Sequence, residues 1–233
     1  MHPPQRLSGG LRRSSAHRIR PSEEAPGQGM EDRRATGLDL GGRREDTLMK
    51  EIRIHGRGGQ GSVVTAEILA VAAFEDGKFS QAFPYLGGGG DRRGAPVQAF
   101  LRIGDAPIRL RSKIHEPDYV IVQDPTLVKE VEVGKGLKPG GLLIINSERD
   151  PADLGLAAGI RAVAVPASRI ALEVIGRPIM NTALMGAFSA ISQEVSLPAV
   201  LRAIRVKFPG EVGEKNAQAA QRMYEMLKGK EGA

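Results

Sequence analysis

The chain has 233 residues, of which 41% are hydrophobic, 26% charged and 4% aromatic, with 30 Gly, 15 Pro, no Cys and no Trp. This length buries a core without covalent staples and suits one domain with additions, or two small ones. The lack of cysteine excludes a disulfide framework, a thiolate nucleophile, a cysteine zinc site and an iron–sulfur cluster ligated by this chain in the usual way; no run approaches the roughly 18 apolar residues of a membrane span; and the net charge of +6 is spread among interspersed acids, as on a solvated surface and not a nucleic-acid patch.

Residues 1–48 stand apart. They hold nine Arg, no Lys and seven acids among scattered Gly, Pro, Ser and Gln, with neither strand nor helix periodicity. Such a segment cannot offset its ordering entropy by burial, and it lacks the apolar stretch of a secretory signal. The expectation is a disordered tail or a spurious upstream extension, with the domain proper spanning 49–233.

From Met49 the pattern alternates. Lys50–His55 reads as a strand, Gly56–Gly61 as a tight loop, and Ser62–Phe74 as a helix with Val63, Ile68, Val71 and Phe74 among its apolar positions. Phe79–Ala82 is a further extended piece. Val97–Ile103 and Pro107–Leu110 flank Gly104-Asp105-Ala106 and predict a hairpin. Tyr119–Gln123 and Leu142–Asn146 are β-branched runs, Arg161–Val165 is a further short strand, and Ala167–Ile175 predicts a helix. Ile179–Gln193 carries no charge and suits a helix buried in the fold or at a subunit contact. Ser196 can cap a helix striped by Leu197, Val200, Leu201, Ile204 and Phe208. Ala217, Ala220, Tyr224 and Leu227 mark a last amphipathic helix. The expected fold class is α/β: a layered, Rossmann-like domain with a mixed β-sheet flanked by helices and a helical C-terminal third.

Two glycine-rich constellations carry the chemistry. Gly56, Gly58 and Gly61 fit G-x-G-x-x-G between a strand and a helix, where backbone N–H groups make an anion site. A dinucleotide site also needs an acid at the end of the next strand. Glu75 and Asp76 fall before Gly77 instead, so the alternatives are close helix–strand packing, or a phosphate or partner backbone on the same amides. The second constellation runs Gln81-Ala82-Phe83-Pro84-Tyr85-Leu86, Gly87 to Gly90, then Asp91-Arg92-Arg93-Gly94-Ala95-Pro96-Val97. Four consecutive glycines do not order by themselves. Arg92 and Arg93 suit a phosphate or carboxylate clamp; the alternative is a surface loop with an ion pair through Asp91. His55 and His115 lack metal-ligand spacing and read as structural, so no metal site is expected. Ser62 and Ser168 have no nucleophile-elbow context. Asp124 ends a strand, where ligands gather, but Asp before Pro more simply starts a turn.

These motifs, taken in order, resemble the gamma subunit of 2-oxoacid:ferredoxin oxidoreductases, the pyruvate or branched-chain type above all. The resemblance rests on His55–Gly61, Gln81-Ala82-Phe83-Pro84 and Arg92–Val97. It continues through Pro107-Ile108-Arg109-Leu110-Arg111, Asp118–Pro125 and Gly176-Arg177-Pro178-Ile179-Met180-Asn181-Thr182, and so covers Met49–Leu227. One departure is the Gly87–Gly90 run with Asp91, where the family more often has a shorter turn and Glu. The resemblance implies a complex that oxidatively decarboxylates a 2-oxoacid on thiamine diphosphate and magnesium, passes electrons through iron–sulfur clusters to ferredoxin, and gives the acyl group to coenzyme A. It implies alpha, beta and delta-type partner subunits holding those cofactors, a cytoplasmic location, and no catalytic residue, cofactor, nucleic acid or membrane bound by this chain alone. Its contribution would be to assembly and the coenzyme A side of the site. Arg57, Gly58, Gly59, Gln60, Arg92 and Arg93 are then the expected contacts to coenzyme A phosphates or a partner. A branched-chain 2-oxoacid complex, a stand-alone nucleotide-binding module and a homo-oligomeric scaffold are the alternatives.

Overall fold

The computed structural model describes residues 49–85 and 93–231. The expected tail at 1–48, and Gly87–Gly90, Asp91 and Arg92 of the second glycine segment, lie outside the described residues.

Six strands form one sheet in the order β2-β3-β1-β4-β5-β6. They are β1 (Lys50–Arg57), β2 (Phe79–Tyr85), β3 (Pro96–Gly104), β4 (Tyr119–Val122), β5 (Leu142–Asn146) and β6 (Ala162–Val165). β1, β4, β5 and β6 run parallel, with Ile52 beside Tyr119, Tyr119 beside Leu142 and Leu143 beside Ala162. β3 lies antiparallel between β1 and β2. The sheet is therefore mixed, as expected from a pattern of strand–helix alternation interrupted by one adjacent strand pair.

Alternation along the strands separates two cores. Ile52, Ile54, Ala99, Leu101, Ile103, Ile121, Leu142 and Ile144 face one way, into a core shared with all five α-helices. These are α1 (Ser62–Glu75), α2 (Ala167–Ile175), α3 (Asn181–Ser192), α4 (Leu197–Lys207) and α5 (Gly210–Glu231). Val120, Val122, Leu143 and Ile145 face the other way, onto Leu127, Val133 and Leu154 from short 3-10 turns and loops. The uncharged stretch becomes α3, buried continuously from Thr182 to Ala190. It crosses α5 so closely that a Cβ on Gly186 would lie 2.0 Å from the Ala220 carbonyl oxygen. Ser196 caps α4 by accepting from Ala199 N–H at 3.3 Å. On α1 the inward residues are Thr65, Ala66, Ile68, Leu69, Ala72 and Ala73, whereas Val71 and Phe74 are 43% and 72% exposed.

Two expectations are corrected. Pro107–Leu110 is not a strand paired with Val97–Ile103. Both edges of β3 are already taken by β1 and β2, so no edge is left for it. The Arg102 guanidinium instead donates to the carbonyls of Leu110 at 3.1 Å and Ser112 at 2.9 Å, holding that stretch across the sheet face. The hairpin is β2–β3, and the second glycine segment connects it. Nor does the first glycine loop begin at Gly56: Gly56 and Arg57 continue β1, opposite Val97 and Pro96.

On the helix-free face of β1, His55 is buried and accepts at Nε2 from Arg53 Nε at 3.0 Å. The Arg53 guanidinium also donates to the carbonyls of Val133 and Lys135. Burial, and secondarily the Arg53 charge, push the His55 pKa down to about 3. A histidine kept neutral in the folded chain takes up a proton on unfolding. The stability it confers is thus present above its unfolded pKa of about 6.5 and lost as pH falls towards 3. Urea unfolding should show about 2 kcal/mol less stability from this group at about pH 5 than at about pH 7. A His55→Gln chain should lose that share of the pH slope; an unchanged slope would remove His55 as its source.

Candidate functional site

The carboxyl ends of β1, β4, β5 and β6 share one edge of the sheet, the edge where parallel α/β sheets collect ligands. From β1 the chain turns to β2 on one side, and from β4 to β5 on the other. The glycine loop occupies the crevice between them. Gly58, Gly59 and Gly61 join Arg57, Ser62, Val63 and Val97 around a cavity of about 240 Å³. Gly59 and Gly61 have positive φ, 89° and 77°, which reserves both positions for glycine. No side chain caps α1 and its first turn holds no acid. Its leading N–H groups and positive dipole end therefore face the cavity without a carboxylate to oppose an incoming anion.

The loop is built on a polar lattice. Ser62 Oγ donates to Gln123 Oε1 at 2.6 Å, and Gln123 Nε2 donates to Thr65 Oγ1 at 3.0 Å. Thr65 Oγ1 donates to the Gly61 carbonyl and also accepts from Asn181 Nδ2. Asn146 Nδ2 donates to the Gln123 carbonyl and to Ser168 Oγ, while its Oδ1 accepts from Ser168 N–H. The ends of β1, β4 and β5 and the starts of α1, α2 and α3 are thereby joined. Gly56 is the close-approach position: a Cβ there would lie 2.2 Å from Ser62 Oγ and 2.4 Å from Gln123 Oε1.

Of the expected contact residues, Gly58, Gly59 and Arg93 come together. Gly58 N–H donates to the Ala95 carbonyl, Gly94 N–H to the Gly58 carbonyl, and the Arg93 stem passes 3.9 Å from where a Gly59 Cβ would be. Arg93 itself is exposed. Gln60 braces the loop, accepting from Arg57 N–H and donating to Asp124 Oδ2 at 2.9 Å. Arg57 is engaged inside the chain: Nε donates to Asp124 Oδ2 at 3.0 Å, and the terminal nitrogens to Thr126 Oγ1, the Gly94 carbonyl and both oxygens of Glu130. The Glu130 hydrogen bond is the main reason its pKa is raised, and reciprocally Glu130 is held below the carboxylate range. Partial burial alone would raise Asp124, but hydrogen bonds from Thr126 and Gln60 and the Arg57 charge outweigh it and lower its pKa. Asp124 does start a turn, accepting from Thr126 N–H. Arg92 lies outside the described residues.

Gln123 and Asn181 were absent from the expected site. Each carried a signal: a lone amide closing an apolar strand, and an amide opening an uncharged helix. Among the described residues no group of three or more His, Asp and Glu side chains could hold a metal ion, and no helix is long and apolar enough to cross a membrane.

A mixed α/β sheet with a braced, glycine-built crevice is the class of domain that this geometry defines. The chain belongs to the pyruvate ferredoxin/flavodoxin oxidoreductase family, whose model matches residues 51–226. It is 55% identical over 183 residues to the pyruvate synthase subunit PorC of Methanosarcina barkeri, covering 78% of this chain and 100% of that protein. It is 50% identical over 180 residues to the pyruvate/ketoisovalerate oxidoreductases common subunit gamma of Thermococcus kodakarensis, covering 76% and 96%. The solved pyruvate oxidoreductase subunit PORC of Thermotoga maritima superposes with a TM-score of 0.67 at 39% identity, covering 76% of this chain and 96% of that one.

A Gly56→Ala substitution should be severe, because the new methyl group must displace the buried Ser62–Gln123 hydrogen bond. The expected loss is about 3 kcal/mol or more by urea unfolding. Wild-type stability in that variant would show that the lattice is not tightly packed around β1.

Proposed function

We propose that this protein is the gamma-type subunit of a multi-subunit pyruvate:ferredoxin oxidoreductase. The complex would convert pyruvate, coenzyme A and oxidised ferredoxin to acetyl-coenzyme A, carbon dioxide and reduced ferredoxin, with loss of a proton. The observation that carries this is the match, at 55% identity, to the whole length of a pyruvate synthase subunit. The pyruvate/ketoisovalerate naming of the Thermococcus relative favours a second reading, in which one gamma subunit also serves a branched-chain 2-oxoacid complex.

The family resemblance implies the division of labour, and side-chain chemistry agrees with it. With no cysteine, this chain offers no thiolate to an iron–sulfur cluster. It also lacks the G-D-G and downstream Asn pattern that holds a diphosphate–magnesium unit. Those groups, which supply the carbanion chemistry and the electron path, belong to alpha, beta and delta-type partners, in the cytoplasm. This chain's part is assembly and the coenzyme A side of the site. The amides at Gly59 and the start of α1, with Arg93 beside them and Arg92 next to it in sequence, suit coenzyme A phosphates or an acidic partner segment; Gly58 N–H is spent on the Ala95 carbonyl, and Arg57 and Gln60 hold the loop to Asp124. Subunit contact is also supported by the outer face of α1 and α4. There Val71, Phe74 and Val206 are exposed while Glu67–Lys207 and Glu75–Arg202 ion pairs lie alongside, an apolar centre with a charged rim.

The test is purification of the native complex with paired Arg92→Ala and Arg93→Ala substitutions. A charge-assisted contact is worth about 1.5–3 kcal/mol, so the Michaelis constant for coenzyme A should rise about 10- to 150-fold, or the complex should dissociate if the pair faces a partner. No change in either property would remove the arginines from the site. A chain beginning at Met49 should assemble as the full chain does; loss of assembly would show that residues 1–48 take part. The isolated chain should bind neither NAD nor thiamine diphosphate, and saturable binding at micromolar concentration would favour the stand-alone nucleotide module.

A further inference from the structure

We propose that Asn181, at the start of α3, is a positioning residue that turns the glycine-loop amides towards coenzyme A; this rests on the reading that the loop receives that molecule. Asn181 Nδ2 donates to the Gln60 carbonyl at 2.7 Å and the Gly61 carbonyl at 3.2 Å. The Gly61 carbonyl also accepts from Thr65 N–H at 2.9 Å and Thr65 Oγ1 at 3.1 Å. The described residues contain no cis peptide bond. In a planar trans peptide the C=O and N–H of one unit point in opposite directions. Anchoring the Gln60 carbonyl against Asn181 therefore sends the Gly61 N–H the other way, and anchoring the Gly61 carbonyl does the same for the Ser62 N–H. Gly61 and Ser62 both line the cavity. The Gly58 carbonyl, held by Gly94 N–H at 3.0 Å, orients the Gly59 N–H by the same rule.

The arrangement is exclusive. Asn181 Nδ2 lies only 2.9 Å from where a Gly61 Cβ would be, so the side chain fits against this loop because residue 61 is glycine. The Thr65 hydroxyl is saturated: it accepts from Gln123 and Asn181 and donates to Gly61, while the two hydrogens of Asn181 Nδ2 are shared among three acceptors, Thr65 Oγ1 and the Gln60 and Gly61 carbonyls. Replacing the Asn181 donor by an acceptor of the same shape would set a carboxylate against two carbonyl oxygens and rotate their peptide planes. The ligand-facing amides would then be lost without any change in a group that touches the ligand.

Asn181→Asp should be measured in the assembled complex, with Thr65→Val and Thr65→Ser beside it and Arg93→Ala as a control. The expected result is a rise of about 10-fold or more in the Michaelis constant for coenzyme A, the equivalent of one or two hydrogen bonds. The constant for pyruvate, and kcat at saturating coenzyme A, should stay within about twofold of wild type. Thr65→Val, which keeps the volume and removes the hydroxyl, should shift the coenzyme A constant in the same direction, and Thr65→Ser should return it to the wild-type value. If Asn181→Asp fails to assemble, the Thr65 pair decides alone, since equal constants for its Val and Ser forms overturn the inference. If Arg93→Ala raises the coenzyme A constant and Asn181→Asp does not, the functional reading stands and the role of Asn181 falls. If neither moves it, both fall. Parallel losses for both substrates together with lowered stability would make Asn181 merely structural and also overturn the inference.

Discussion

The side-chain amide of Gln123 is wholly buried at the end of β4, and the glycine-loop edge of the domain depends on how its two ends are satisfied. Its oxygen accepts a hydrogen bond from the Ser62 hydroxyl and its nitrogen donates to Thr65, so one side chain grips the first turn of α1 at two points. Its backbone carbonyl is in turn held by Asn146, which caps the start of α2 through Ser168. A buried amide left half-satisfied would cost more than the net worth of a bond, and a complete set polarises and stiffens its members. Gly56 is part of the same constraint, because only a residue without a Cβ lets the two side chains meet beside β1.

Charge is handled by commitment as well as by number. Arg53 and Arg102 are buried on the helix-free face, where their guanidiniums donate to loop carbonyls. Arg102 also pairs with Glu51 at 2.9 Å. These forks fasten loops to the sheet and leave no charge for a ligand. Arg57, beside the cavity, is likewise matched by Asp124 and Glu130. The net positive charge of the chain therefore says little about the site. What bears on it is Arg93, exposed next to the glycine loop, and a helix start free of acids.

Much of the fold was legible in the sequence because it is written in local terms. β-branched runs gave β4 and β5, and a further short strand gave β6, within a residue or two; the uncharged stretch and the capped stripe gave α3 and α4; the glycine pattern located the turn into α1. The failures came where a tertiary partner overrode a local signal. Pro107–Leu110 had the composition of a strand, yet both edges of β3 were already filled. Gly56 and Arg57 looked like loop but stay in the ladder, since Pro96 and Val97 lie opposite. The site was half legible for the same reason. Glycines and arginines mark the candidate loop, but the lattice beneath it spans 58 to 121 positions in sequence, and no local pattern says that Gln123 and Asn181 converge on Thr65. The type and neighbourhood of Arg57 suit a ligand contact, while its partners Thr126 and Glu130 sit on a turn far along the chain.

The proposed role of this chain requires that the amides at the start of α1 meet coenzyme A in the working complex. Hydrogen–deuterium exchange of the assembled complex, with and without coenzyme A, reads those amides directly. Slowed exchange across Gly58–Val64 on adding coenzyme A, with little change along the β6 edge, is the predicted result. Protection confined to partner subunits, with the glycine loop exchanging as before, would contradict it.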